Sequence, residues 1–237
     1  MATSITNTTH NEFSFEGIPP LEPGDRLTRA EFERRWQAMP ALQHAELIEG
    51  VVFMAAAVRY RKHGRPNRWI TRLLVTYEGR TPGVAGADNT SVRMDLDNMP
   101  QPDTLLFIEP PHSKTVTISE DDYLEGAPEL IVEIASSSAS YDLGTKLNAY
   151  RRNAVPEYVV WRVLDAEFDW FVLREGEYIR QSLRDDGVIR STSFPGLWLN
   201  AQALLAGKLA DAFETLERGL TTPEHGEFVQ QLASSSM

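Results

Sequence analysis

The run Leu130-Ile131-Val132-Glu133-Ile134-Ala135 limits the fold more than any other stretch of this chain. It is apolar except for one carboxylate, and it has the length of a strand buried on both faces. The next thirty residues determine its neighbours. Residues 136–140 offer several serine N-caps for a helix running to about residue 153. Leu143, Leu147, Tyr150 and Ala154 fall at i, i+4, i+7 and i+11 as that helix's core stripe, and Pro156 stops it before a second apolar run at 158–163. Strand, helix and strand in this order predict a parallel pair joined by a right-handed crossover.

Glu133 needs a companion. A buried, ionised and unpaired carboxylate is costly, so a cation, a metal or a proton has to accompany it. Asp103, which opens the apolar run 104–108 behind Pro102, and Lys146, on the helix after Glu133, can provide that set. Alternation puts Ile131, Glu133 and Ala135 on one face of their strand, and Asp103 on the same face as Leu105 and Phe107. If the two strands are neighbours, two carboxylates converge, and two carboxylates with waters and substrate oxygens are what usually hold Mg²⁺. Asp142 and Lys146, at i and i+4, project toward the same strand end. An ammonium there holds an attacking water or stabilises charge developing on phosphorus.

Elsewhere the pattern is that of one α/β domain, predicted over 25–207, with a lead-in at 1–24 and a C-terminal helix and loose tail over 208–237. Thr28 and Glu31 have capping-box spacing ahead of Phe32, Trp36 and Met39. Residues 45–54 read as a strand with a bend at Gly50, 66–79 as a helix, and 89–96 as a strand. A polar linker covers 110–128. Strand-like runs at 168–173, 178–183 and 188–194 are separated by hairpin signals, and one last amphipathic helix spans about 201–218.

The chain has no cysteine, which excludes disulfides and thiolate metal sites. No signal peptide or long apolar run is evident, so a cytoplasmic protein without membrane association is expected. A net charge of −11 rules out strong nonspecific affinity for nucleic acid unless a local patch provides it. Between residues 59 and 72 there are six cations and no acid, and Arg61, Arg65, Arg68 and Arg72 align along one helix face if Pro66 lies in its first turn. The competing reading of that patch is a solvated face balanced by acids elsewhere.

Pro102-Asp103, Glu133 in its apolar strand, the segment Tyr141-Asp142-Leu143-Gly144-Thr145-Lys146-Leu147-Asn148-Ala149-Tyr150 and the ending Val155-Pro156-Glu157-Tyr158 together resemble the Uma family of putative restriction endonucleases. The likeness extends from about 27 to 207, taking in Glu46-Leu47-Ile48-Glu49-Gly50 and Phe194-Pro195-Gly196-Leu197-Trp198. It implies the PD-(D/E)XK fold, a restriction-endonuclease-like central mixed sheet flanked by helices, here with a C-terminal antiparallel hairpin region. It also implies Mg²⁺-dependent hydrolysis of DNA phosphodiesters, with Mn²⁺ as a substitute ion. Asp103 and Glu133 would be metal ligands, Lys146 would stand in for the lysine usually found two residues after the acid, and Glu46 would complete the site, with Glu49 as its rival. A homodimer is expected from the fold, since two sites cut two strands.

Each residue has a duller competitor: Asp103 as a carboxylate bonded to a loop amide, Lys146 as a surface partner of Asp142, His63 as a surface histidine, Tyr150 as core. The alternative function is a catalytically silent nuclease fold serving as a nucleic-acid- or protein-binding regulatory module.

Overall fold

The computed structural model describes residues 17–54, 57–182 and 185–234. Helix α1 (Arg29–Gln37) precedes the hairpin β1 (Glu46–Ile48) and β2 (Val51–Phe53). Then come α2 (Arg65–Glu78), β3 (Val84–Asp88), β4 (Val92–Arg93), β5 (Thr104–Ile108), β6 (Val116–Ile118), β7 (Leu124–Gly126) and β8 (Leu130–Ala135). After β8 lie α3 (Ala139–Tyr141), α4 (Leu147–Arg152), β9 (Glu157–Arg162), β10 (Glu167–Arg174) and β11 (Glu177–Arg180). A hairpin of β12 (Val188–Arg190) and β13 (Trp198–Asn200) leads to α5 (Ala201–Leu205), α6 (Leu209–Leu220) and α7 (Pro223–Ser234). Two π-helical turns interrupt the helices: Tyr60–Gly64 leads into α2, and Asp142–Lys146 joins α3 to α4.

The central sheet has the order β11-β10-β9-β8-β5-β3. Its β8–β9 pair is parallel, as the strand-helix-strand order predicts, and its other pairs are antiparallel. Every residue of β8 is buried. Pleating sends Leu130, Val132 and Ile134 into a core shared with α2, α5 and α6, and Ile131 and Ala135 into a second core with Leu105, Phe107, Tyr150 and Tyr158. Glu133 belongs to the second face. A third core joins α1 to the β1–β2 hairpin through Phe32, Leu47, Val52 and Met99.

Several expectations are corrected. The 45–54 run is a hairpin, with Glu49 and Gly50 at positive φ forming its turn. The expected strand at 89–96 shrinks to β4, while β3 at 84–88 forms the sheet edge against β5. Its sequence, Val-Ala-Gly-Ala-Asp, looks like a breaker; yet a Cβ on Gly86 would lie 3.0 Å from the Leu105 carbonyl oxygen, so the close backbone approach favours glycine. The 110–128 linker contains β6 and β7, which form a small sheet with β4.

The C-terminal part holds three helices where one was expected over 201–218. Gly207 at φ +73 ends α5, and Leu216, Leu220 and Leu232 bury the apolar faces of α6 and α7. Ala233 and Ser234 of the expected tail finish α7, and 235–237 lie outside the described residues, as does Leu183 of the 178–183 run. Of the 1–24 lead-in, 1–16 also lie outside them; Leu21 is buried and the Gly24 N–H donates to the Val52 carbonyl at 2.8 Å. No helix among the described residues is long and apolar enough to cross a membrane.

Candidate active site

Strand pairing brings the two predicted carboxylates to one place. β5 and β8 are antiparallel neighbours, with Thr104 opposite Val132, so Asp103 at the foot of β5 lies beside Glu133 and Ile134 of β8. Asp103 Oδ2 accepts the Ile134 N–H at 2.7 Å, which fixes its carboxylate across the strand gap. The amide-bonded Asp103 offered as a dull alternative is therefore present, but within the cavity that Glu133 lines.

The helix after β8 brings Lys146 back over this point. Winding Asp142–Lys146 as a π turn changes which side chains face inward: Asp142, Lys146, Ala149 and Tyr150 are buried, Leu143 and Leu147 only flank the core, and Ala154 is exposed beyond the helix end. Such turns recur at functional sites because they re-aim side chains that a regular helix would send elsewhere. Lys146 Nζ donates to Glu133 Oε1 at 2.8 Å and forms an ion pair with Glu46 Oε1 at the same distance. Lys146 is 4% exposed, Glu133 4% and Glu46 6%, so this is an ion cluster on the floor of a cavity and no surface pair.

Glu46 arrives from β1, and the same Oε1 accepts the Gln101 N–H at 2.8 Å, tying the hairpin to the loop that delivers Asp103. Its rival Glu49 points elsewhere and pairs with Arg152. Tyr150, expected to be plain core, is buried, yet its hydroxyl donates to Glu133 Oε1 at 2.9 Å.

The cavity is about 490 Å³ and is lined by Glu46, Asp103, Glu133, Asp142, Lys146, His63 and Tyr141, among others. His63, expected at the surface, comes in on the other π turn and places Nε2 2.9 Å from Asp103 Oδ1. No residue type or spacing announced this contact, which depends on an irregular turn. Arg59 and Lys62 of the same segment also line the cavity, whereas Arg61, Arg65, Arg68 and Arg72 do not. Arg65 stacks on Trp69 at 4.4 Å and Arg72 on Phe213 at 5.0 Å.

Burial pushes Glu133 well above the usual carboxylate range, with Asp103, Asp142 and Glu46 adding to the rise and Lys146 opposing it. Burial likewise pushes Asp142 up to about 6. For Lys146 burial works downward, but Glu133, Glu46 and Asp142 outweigh it and hold the ammonium charged. The hydrogen bond to Asp103 raises His63 against its partial burial.

Four carboxylates thus share a cavity in which Lys146 pairs with Glu133 and Glu46 and His63 with Asp103. Glu133 Oε1 takes both of that residue's hydrogen bonds, leaving Oε2 with none among the described residues. No group of three or more His, Asp or Glu side chains stands at metal-ligand spacing among those residues. Mg²⁺ is commonly held by one or two carboxylates with waters and substrate phosphate, and the hard oxygens of Asp103 and Glu133 are donors of that kind.

Comparisons with known proteins agree with this architecture. A crystal structure of a putative nuclease belonging to DUF820 from Anabaena variabilis matches the fold with a TM-score of 0.52 at 12% sequence identity, covering 77% of this chain and 97% of that one. No curated protein matches the chain. The Uma2 family, described as putative restriction endonuclease, matches residues 29–202, most of the chain. The chain belongs to the Uma2 family of putative restriction endonucleases.

Proposed function

We propose that this nuclease-family protein hydrolyses DNA phosphodiester bonds with the help of Mg²⁺ held by Asp103 and Glu133. The observation that carries the reading is that neighbouring strands deliver both carboxylates to one cavity floor, with the Lys146 ammonium 2.8 Å from Glu133. A divalent ion bound there would neutralise charge on the scissile phosphate and its leaving oxygen. Lys146 orients the attacking water and meets charge developing on phosphorus. Glu46 and Tyr150 hold Lys146 and Glu133 in place, and the Ile134 N–H fixes the Asp103 carboxylate. On duplex DNA, cutting both strands takes two copies of this site, which a homodimer would bring.

The test is cleavage of plasmid, linear duplex and single-stranded DNA with Mg²⁺ or Mn²⁺, comparing the parent with Asp103→Asn, Glu133→Gln and Lys146→Ala. Metal-dependent cutting that each variant lowers at least about a hundredfold supports the reading. A folded parent that neither cuts nor binds Mg²⁺ would leave a binding module in its place. Cutting that survives all three changes would put the site elsewhere.

A further inference from the structure

We propose that this cavity takes an unpaired polynucleotide strand in preference to an intact duplex, an inference that rests on the nuclease reading above. The first observation is depth. Glu46, Glu133, Asp142 and Lys146 are only 3–6% exposed, so a phosphodiester reaches them by leaving the regular surface of a helix and dipping into the cavity. An unpaired strand bends this way freely, while a stiff duplex has to be distorted to follow it.

The second observation is the rim. Val58 and Leu164 line the cavity and are 66% and 56% exposed, and Tyr60, which lies in sequence between the lining residues Arg59 and Lys62 without lining the cavity itself, is 71% exposed. Apolar side chains left in water around a polar floor mark a surface that a flat apolar partner completes. An unstacked base offers such a face, and a base inside a duplex does not.

The third observation is charge. Arg59 and Lys62, which flank Tyr60 in sequence, line the cavity, and neither they nor Arg61 has a carboxylate partner among the described residues. Several arginines elsewhere in this acidic chain are paired: Arg93 with Glu33, Asp121 and Glu125, and Arg162 with Asp165, Glu167 and Asp169. Cations left free beside an exposed aromatic ring are the combination that tracks a backbone while stacking its bases, with little dependence on sequence.

Binding is read by fluorescence anisotropy on the full chain without divalent ions, so that nothing is cut. The probes are labelled oligodeoxyuridylate, oligouridylate and a blunt duplex. One of the two single strands should bind at least about tenfold tighter than the duplex, and which one does identifies the sugar. Tyr60→Ala should weaken that binding at least about fivefold. Replacing both Arg59 and Lys62 by alanine should reduce the slope of log affinity against log salt by about 1.4. All three side chains are exposed, and unchanged melting curves will show that the variants fold. Duplex binding equal to or tighter than single-strand binding, no binding of any probe, or indifference to Tyr60→Ala would overturn the proposal. Cleavage with Mg²⁺ or Mn²⁺ separates it from the reading beneath it. Duplex cut without single-strand preference overturns this inference and leaves the nuclease intact; single strands bound through Tyr60 and never cut support the inference and remove the nuclease.

Discussion

Replacing Lys146 by methionine removes the charge from the centre of the site while keeping most of the stem's volume. In the parent, one ammonium satisfies Glu46 and Glu133 at 2.8 Å each, and nothing else charged reaches both. Taking one member from a buried ion cluster leaves the remaining charges uncompensated and costs about 3–5 kcal/mol. The loss should depend on pH. Burial already holds the Glu133 carboxyl above its unfolded value, so the folded state keeps a proton that the unfolded state has released. That contribution is complete below the unfolded value near 4.5 and disappears as pH rises through the folded one. Lys146 opposes the rise in the parent and cannot in the variant, so the variant's window extends toward neutral pH. Urea unfolding should therefore show a small deficit near pH 5 that grows to about 3–5 kcal/mol near pH 8. Added Mg²⁺ should restore more stability to the variant than to the parent, about 2.7 kcal/mol at a hundred times its dissociation constant. A deficit that is independent of pH, or below about 1 kcal/mol near pH 8, would refute the view that Lys146 holds these carboxylates together.

Other substitutions probe what surrounds the site. Tyr150→Phe deletes one of two donors to Glu133 Oε1 and should cost about 1 kcal/mol in a chemical melt, with the sheet intact by circular dichroism. Glu157→Ala should cost roughly 3–5 kcal/mol, because the fully buried carboxylate accepts hydrogen bonds from Trp170, Ser191, Thr192 and Ser193; a melt within about 1 kcal/mol of the parent would contradict that. Gly196→Ala should lower stability by at least about 2 kcal/mol, since φ is +86 and a Cβ would lie 2.7 Å from His225 Cβ and 2.9 Å from the Gly219 carbonyl, prying α6 and α7 from the sheet.

Much of the central architecture was legible because β8 and its helix follow simple rules. A two-sided apolar strand, serine caps, a helical stripe and a proline stop specify a parallel unit with little dependence on the rest of the chain. Asp103 and Glu133 could be placed on facing positions because pleating has a period of two and leaves little freedom once strands pair. The edge strand β3 was illegible for the opposite reason. Its glycine and alanines carry no apolar pattern, and only contact with β5 makes them a strand. The short β6 and β7 were hidden similarly, as each is completed by partners distant in sequence. Helix α7 went unread because its buried residues, His225 and Leu232, are too few to draw a stripe.

The site was legible in its charges and illegible wherever it depends on irregular helix. A regular i, i+4 helix already put Asp142 beside Lys146, yet it also predicted that Leu143 and Leu147 would face the core. The π turn turns the charged pair inward, and no local composition forces that choice; the carboxylates waiting on β8 and β1 do. The same holds for His63, which reaches Asp103 through the only other π turn among the described residues. A comparison of Glu133 with Glu157 makes the physical point. Both are strand glutamates with almost no exposure. Glu157 is surrounded by neutral N–H and O–H donors from one loop and one indole, so its surroundings are complete and its role is to fix that loop to β9. Glu133 is held at one oxygen by an ammonium and a phenol, its other oxygen has no hydrogen bond among the described residues, and the residue lines a cavity shared with three more carboxylates. A carboxylate whose bonds are all internal stabilises a fold, and one left half-bonded in a charged cavity is available to a ligand. That difference, which appears only when the partners are known, is why Glu133 and not Glu157 is the residue proposed to meet a ligand.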